Sequence, residues 1–183
     1  ADTTEFQIEE PAIVTLGKFD GRHRGHQKLL RTMMELKAET GYPTAIFTFG
    51  TAPGTAVTGK PQTVITTNLE RRANMEKVGI DYLVEYPFTE ETRHMEPEAF
   101  VKDILAGRMH AREIVVGPDC SFGYKGAGSA ELLSAMARDL GYHLHVIEKE
   151  KDHRRDISST YIREELEKGN VEKANQLLGQ PYA

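Results

Sequence analysis

Residues Ala12–His26 read AIVTLGKFDGRHRGH. Ala12–Leu16 is a short run of apolar and β-branched residues, the composition of a buried strand. Glycines follow at Gly17 and Gly21, and then Leu29, Leu30, Met33 and Met34 repeat at helical spacing. A strand that passes through a glycine-rich turn into an amphipathic helix is the opening unit of an α/β fold.

The same alternation continues along the chain. Thr44–Phe49 (TAIFTF), Tyr82–Tyr86 (YLVEY), Ile114–Val116 (IVV) and Leu144–Ile147 (LHVI) read as further strands. Between them, residues 68–79 and 97–107 read as helices. Pro97 suits a first turn, and Gly79 and Gly107 suit C-terminal stops. Leu132, Leu133, Met136 and Leu140 mark another helix, and residues 158–168 and 170–178 form a final helical pair. The expectation is a Rossmann-like parallel sheet with helices on both faces. Ligands then bind beyond the C-terminal strand ends, at the switch in strand order. The first strand ends at Lys18–Gly21 and the fourth at Gly117–Gly123, both glycine-rich.

At 183 residues the chain suits one domain with a sizeable core. Its net charge of −5 excludes a general attraction to nucleic acid or to an anionic membrane, so any anion site must be built locally. No apolar run approaches membrane-spanning length. Cys120 is the sole cysteine, which excludes an internal disulfide and fits a cytoplasmic, reducing compartment. The acidic start, ADTTEFQIEEP, is no signal peptide.

Two stretches carry chemistry. In Gly17–His26, Gly17 and Gly21 allow close backbone approach, and His23 and His26 share one face of the opening helical turn. Gly25 keeps the surface between them free of bulk. A helix N-terminus offers unpaired N–H groups and partial positive charge, so histidines there suit a phosphate. Two other readings stay open: zinc held by Asp20, His23 and His26, and a plain strand–helix turn with two surface histidines. A P-loop is excluded, because GxxxxGK[ST] is absent. In Ile157–Arg163 (ISSTYIR), Ser158, Ser159 and Thr160 are candidate N-caps. Arg163, one turn on, could grip phosphate with several donors, assisted by Ser159 and Thr160.

Together the two stretches resemble the GxFDGxHxGH and ISSTxIR signatures of prokaryotic FAD synthetases, in the same order and at the same separation. GIDYLVEYPF, EPEAFV, IVVGPDCSFGYKGAGS and GNVEKANQLLGQPY also resemble stretches of that family. HxGH alone would indicate only the wider nucleotidyltransferase superfamily. The resemblance implies that FMN and ATP give FAD and pyrophosphate, with Mg²⁺, by direct attack of the FMN phosphate on the α-phosphorus. It implies that His23 and His26 hold the ATP phosphates and stabilise the transition state. Ser159, Thr160 and Arg163 would close over the triphosphate. Gly17, Phe19, Asp20, Gly21 and Gly25, from the first signature, would help form the binding site. Asp119 would contact flavin or metal.

The sequence departs from the family in places. The histidine of a PHP-like element after the second strand is replaced by Ala52, with Pro53 kept. Arg24, Lys60, Lys125, Arg154 and Arg155 are candidates to substitute for it. Cys120 stands where an aromatic residue is usual, and reads as a small buried side chain. His143, His145 and His153 read as a solvated surface rather than a metal cluster. The chain stops at Ala183, where relatives usually continue into a riboflavin kinase domain. Residues 1–183 are therefore expected to be one FMN adenylyltransferase domain that does not phosphorylate riboflavin. Two other functions compete: a sister nucleotidyltransferase with another phosphorylated acceptor, and a non-catalytic flavin- or nucleotide-binding regulator, which Ala52 motivates.

Overall fold

A computed structural model describes residues 4–50 and 63–182. Its main sheet contains β1 (Ala12–Leu16), β2 (Thr44–Phe49), β3 (Tyr82–Tyr86), β4 (Ala111–Val116) and β5 (His143–Val146). All pair in parallel, in the order β3-β2-β1-β4-β5. The chain runs outward from β1 to β3 and then crosses back to β4. Strand order therefore reverses between β1 and β4, the two strands whose ends the sequence marks as a site.

The helices are α1 (Arg24–Thr40), α2 (Asn68–Val78), α3 (Glu90–Arg93), α4 (Pro97–Ala99), α5 (Ala130–Leu140), α6 (Ser159–Glu167) and α7 (Val171–Leu178). Side-chain alternation along β1 feeds two cores. Ala12 and Val14 pack with Val101, Ile104, Leu105 and Leu133 on one face. Ile13 packs with Leu29, Leu30, Met33 and Met75 on the other. Helices thus cover both faces, as expected for a Rossmann-like fold. A third cluster joins Ile65, Ile157, Ile162, Ala174, Leu177 and Leu178. It binds the α6–α7 pair to the β1–α1 turn, helped by Gln27, whose amide donates to the Leu178 carbonyl at 2.7 Å.

Besides the short helix Glu90–Arg93, which the sequence reading did not call, four features differ from it. β4 starts at Ala111 rather than Ile114, because its register against β1 skips Arg112 and breaks the alternation. β5 lies one residue earlier than expected. The helix begun at Pro97 continues as a π-helix, Phe100–Arg108, which keeps Phe100, Val101, Ile104 and Leu105 buried. Gly107 does not stop it: the Met109 N–H still bonds to the Ile104 carbonyl at 2.8 Å. Gly79 does close α2, at φ 91°. The fourth feature is a hairpin of β6 (Lys151–Asp152) and β7 (Arg155–Asp156), which has no apolar signal at all. Polar contacts fasten it. Asp152 pairs with Lys173 at 2.7 Å and accepts from the Tyr161 hydroxyl at 2.9 Å, and Arg155 lies 3.9 Å over the Tyr161 ring. Ala52, Pro53 and Lys60 lie outside the described residues.

Glu85, on β3, is buried yet charged. It accepts from Arg71 at 2.8 Å and from Arg72 Nε at 2.7 Å. Burial pushes its carboxyl up, but the hydrogen bonds from Arg72 and Arg71 outweigh this and hold it below the ordinary value. Its contribution to stability is then complete above the unfolded carboxyl value and fades as pH falls through the lower folded one. Replacing it removes the carboxylate that neutralises Arg71, whose side chain is 11% exposed, so Glu85→Ala should cost about 3 kcal/mol at neutral pH. Chemical denaturation of both proteins across pH checks this. Equal stability at pH 7, or a gap that widens in acid, would contradict it.

Candidate active site

The turn from β1 into α1 carries the first signature. His23 is the N-cap of α1, and its Nδ1 accepts from the His26 N–H at 3.3 Å. An accepting Nδ1 carries no proton, so the neutral ring has its hydrogen on Nε2 and offers it as a donor. The His23 and His26 rings stack 3.7 Å apart, and the buried Phe19 ring lies 4.8 Å from His26. A Cβ at Gly25 would sit 3.1 Å from the His23 ring, so glycine lets that ring lie against the helix end. The Nδ1 of His26 is buried with no hydrogen-bond partner among the described residues. Unpartnered buried polar atoms are rare in folded proteins and mark places where a ligand or water belongs.

Burial dominates the titration of both rings. It pulls His23 down to about 4, against opposing pulls from Asp20 and Asp119. Burial, and then repulsion from His23, hold His26 well below the ordinary histidine value. Both are neutral donors or acceptors at neutral pH rather than fixed cations.

The second signature arrives at the same place. Ser158 caps α6, its hydroxyl accepting from the Tyr161 N–H at 3.2 Å. A Cβ at Gly25 would lie 3.9 Å from the carbonyl oxygen of Ile157, so the N-termini of α1 and α6 adjoin. The Ser159 hydroxyl donates to the Asp20 carbonyl at 2.6 Å. Arg163 donates to Asp20 Oδ2 at 2.9 Å and to the Thr160 hydroxyl at 3.3 Å. Gly21 is held at φ 81°, where an added Cβ would come within 2.8 Å of Ile65. Two adjoining helix N-termini form a strong anion-attracting corner.

Beside this corner, past Asp20 and Arg163, opens a cavity of about 570 Å³ at the C-terminal ends of β1 and β2. Its apolar wall includes Phe47, Phe49, Phe88, Phe122 and Tyr124, and Gly17, Lys18 and Lys125 also border it. The Phe122 ring lies against Gly128, leaving no room for a Cβ there. Sequence reading missed this cavity. A usable signal was present: Phe47 and Phe49 alternate on β2, so both face one side at the strand end that meets the site.

The remaining candidates fall at the rim or outside. Asp119 is 69% exposed and held at 2.9 Å by Lys149, which also binds Asp156 at 3.0 Å. Lys149 was not singled out in the sequence. Among the described residues, no group of three or more His, Cys, Asp or Glu side chains is placed to hold a metal. Asp20, His23 and His26 thus do not form the zinc arrangement. Of the possible substitutes for the missing histidine, Lys125 borders the cavity, while Arg24 pairs with Glu150 and Arg155 with Glu164. His143 and His145 lie on the surface as expected, with the His143 side chain 81% exposed, and they also bond to the two carboxylate oxygens of buried Glu113, at 3.0 and 2.6 Å. Burial, then Asp119 and Glu131, push the Cys120 thiol up to about 11, which fits a packed, unreactive side chain. Among the described residues no helix is long and apolar enough to cross a membrane.

The neutral histidines can be tested directly. Nitrogen-detected NMR of the free protein should find His23 and His26 predominantly neutral between pH 6 and 8, with the His23 proton on Nε2. A midpoint near 6.5 for either ring would contradict the burial argument.

Comparison with known proteins agrees with the geometry. The family model described as FAD synthetase matches residues 5–161. A bifunctional riboflavin kinase/FMN adenylyltransferase of Listeria monocytogenes is 34% identical over 182 residues, covering 98% of this chain and 57% of that protein. A Bacillus subtilis protein of the same name is 34% identical over 176 residues, covering 93% and 54%. This chain therefore spans little more than half of either. A Listeria monocytogenes FAD synthetase is 31% identical over 173 residues, covering 93% of this chain and 70% of its own. A crystal structure of a Streptococcus pneumoniae protein, named as a macrolide-efflux protein, superposes with a TM-score of 0.86 at 28% identity, over 97% of this chain and 58% of that one. By motif, fold and the extent of the match, this chain belongs to the FAD synthetase family.

Proposed function

We propose that residues 1–183 act as one FMN adenylyltransferase unit that converts FMN and ATP to FAD and pyrophosphate. The observation that carries this reading is the adjoining pair of helix N-termini, with His23 and His26, next to an aromatic cavity of about 570 Å³. A cavity of that size and lining suits a planar, tricyclic flavin. The helix corner suits a polyphosphate.

In the reaction, an oxygen of the FMN phosphate forms a bond to the α-phosphorus of ATP. The bond from that phosphorus to the bridging oxygen breaks, and its electron pair leaves with pyrophosphate. The attacking phosphate needs no base and no protein nucleophile. The protein's work is to align two anions and stabilise charge on the departing oxygens. His23 supplies its Nε2–H, the paired helix ends supply backbone donors, and Arg163 supplies a guanidinium once the triphosphate draws it in. Phe19 supports His26 from below. Gly17, Gly21 and Gly25 keep the turn close to the ligands, and Ser159 and Thr160 border the α6 end. Mg²⁺ shields the phosphates when bound. Among the described residues no group of three or more His, Cys, Asp or Glu is placed to hold it, so phosphate oxygens and water would be its main ligands, with exposed Asp119 a candidate carboxylate. ATP and FMN are cytoplasmic metabolites, and the protein is proposed to act there.

Purified protein given FMN, ATP and Mg²⁺ should form FAD and pyrophosphate in equal amounts, resolved by chromatography. His23→Ala should cut turnover roughly 100-fold to 1,000-fold, as losing one preorganised donor to a developing charge does. FMN affinity should barely move. If no FAD forms and another phosphorylated acceptor is adenylylated instead, the FMN reading fails while the nucleotidyltransferase reading stands. If nothing is adenylylated, a regulator that only binds becomes the better account.

A further inference from the structure

Asp20 lies where the phosphate corner meets the aromatic cavity, and both of its carboxylate oxygens are already occupied. Oδ1 accepts from the Ile65 N–H at 2.8 Å, the Thr66 N–H at 3.0 Å and the Thr66 hydroxyl at 3.4 Å. Oδ2 accepts from Arg163 at 2.9 Å. Its carbonyl takes the Ser159 hydroxyl. One residue thus joins three segments: the β1–α1 turn, residues 63–67 along the cavity, and α6. The side chain of Asp20 is only 13% exposed, whereas that of Arg163 is 30% exposed and borders the cavity.

We propose that Asp20 is a positioning residue that parks Arg163 in the free protein and yields it to the triphosphate when ATP binds. This rests on the adenylyltransferase reading above. The two oxygens of Asp20 divide the work. Oδ1 is committed to backbone donors and holds the turn whether or not ATP is present. Among the described residues, Oδ2 accepts only from the guanidinium. Arg163 can therefore leave without loosening the clasp. A guanidinium carries five N–H donors, and a single carboxylate oxygen with one hydroxyl leaves several of them free. A triphosphate brings more charge and more acceptors, arrayed to match the guanidinium fork, and so outcompetes the carboxylate. Parking keeps a long, rotamer-rich side chain ordered beside the site, which lowers the entropy lost when the ligand arrives. It also weakens ATP binding by the strength of the pair that must break. Because its oxygens are filled, Asp20 acts through Arg163 and Thr66 rather than by touching the substrates.

Asp20→Asn isolates this role, since the amide oxygen can keep the Oδ1 contacts while the amide nitrogen cannot accept from Arg163. ATP affinity is measured calorimetrically, without FMN, in four proteins: the parent, Asp20→Asn, Arg163→Gln and the double variant. Asp20→Asn should tighten ATP binding about fivefold with Arg163 present, the scale of an ion pair partly open to water. The gain should be smaller in the Arg163→Gln background, where nothing is parked. Equal gains in both backgrounds, no gain, or weaker binding would overturn the proposal. Should Asp20→Asn fail to fold, the parent protein still decides. The NMR signal of the Arg163 guanidinium, assigned by its loss in Arg163→Lys, must shift on saturation with ATP, and an unmoved signal overturns the proposal. Turnover of FMN by the same preparation judges the adenylyltransferase reading separately, because the affinity cycle needs no acceptor.

Discussion

The turn between β1 and α1 passes through Phe19, Gly21 and Arg22 at φ 50°, 81° and 32°. Two of these are residues for which such a backbone costs on the order of 1–3 kcal/mol each. The turn persists because its centre is tied down from outside. Asp20 is bonded to residues 65 and 66 and to Arg163, Phe19 is buried in the core under α1, and Gly21 rests on Ile65. The dependence runs outward from there. The turn sets where α1 begins, and with it the positions of His23 and His26. Through the Asp20 carbonyl and carboxylate it also sets where α6 begins. Strain at this point is consistent with a site that must bring backbone close to a ligand.

Neutrality of the two histidines follows from the same packing. Stacking His23 on His26 over Phe19 removes both rings from water; desolvation outweighs the attraction of Asp20 and Asp119 for a proton on His23, and on His26 repulsion from His23 adds to it. A neutral imidazole at a helix N-terminus avoids placing a full cation against the positive end of the dipole. It still offers a directed donor for charge that appears only as the reaction proceeds. On the reading proposed above, positive charge in the corner comes instead from Arg163, which Asp20 balances in the free protein.

Much of this was legible in the residues, for physical reasons. The strands announced themselves through short β-branched runs, and the α6 N-cap through Ser158, whereas His23 was legible as part of the opening turn of α1 and not as its cap. The strand-order reversal then placed the two signatures together, because ligand sites in such sheets open where β1 and β4 part. What was hidden depended on tertiary context. The hairpin at Lys151–Asp156 has no apolar pattern, since it is fastened by Tyr161, Lys173 and Glu164 from the later helices. The π-helix looks like an α-helix in composition, because its winding is chosen by how Phe100 to Leu105 meet the sheet. Lys149 reads as one surface charge among many until Asp119 and Asp156 are seen to flank it. Glu113 reads as a strand polar residue until His143 and His145 reach it from the edge. Asp20 reads as a signature position, and only its filled oxygens suggest that it organises the site rather than contacting ligand.

On the proposed reading, two anionic substrates occupy adjoining but distinct places, joined at Asp20 and Arg163. Amide chemical-shift mapping on the isotope-labelled protein tests it most directly, with a non-hydrolysable ATP analogue and FMN added separately. The ATP analogue should shift Gly25, His26, Ser159 and Thr160, FMN should shift Phe49, Phe122 and Tyr124, and both should shift Asp20. If FMN instead perturbs the α1 and α6 N-termini and leaves the aromatic cavity untouched, the two-place arrangement is wrong.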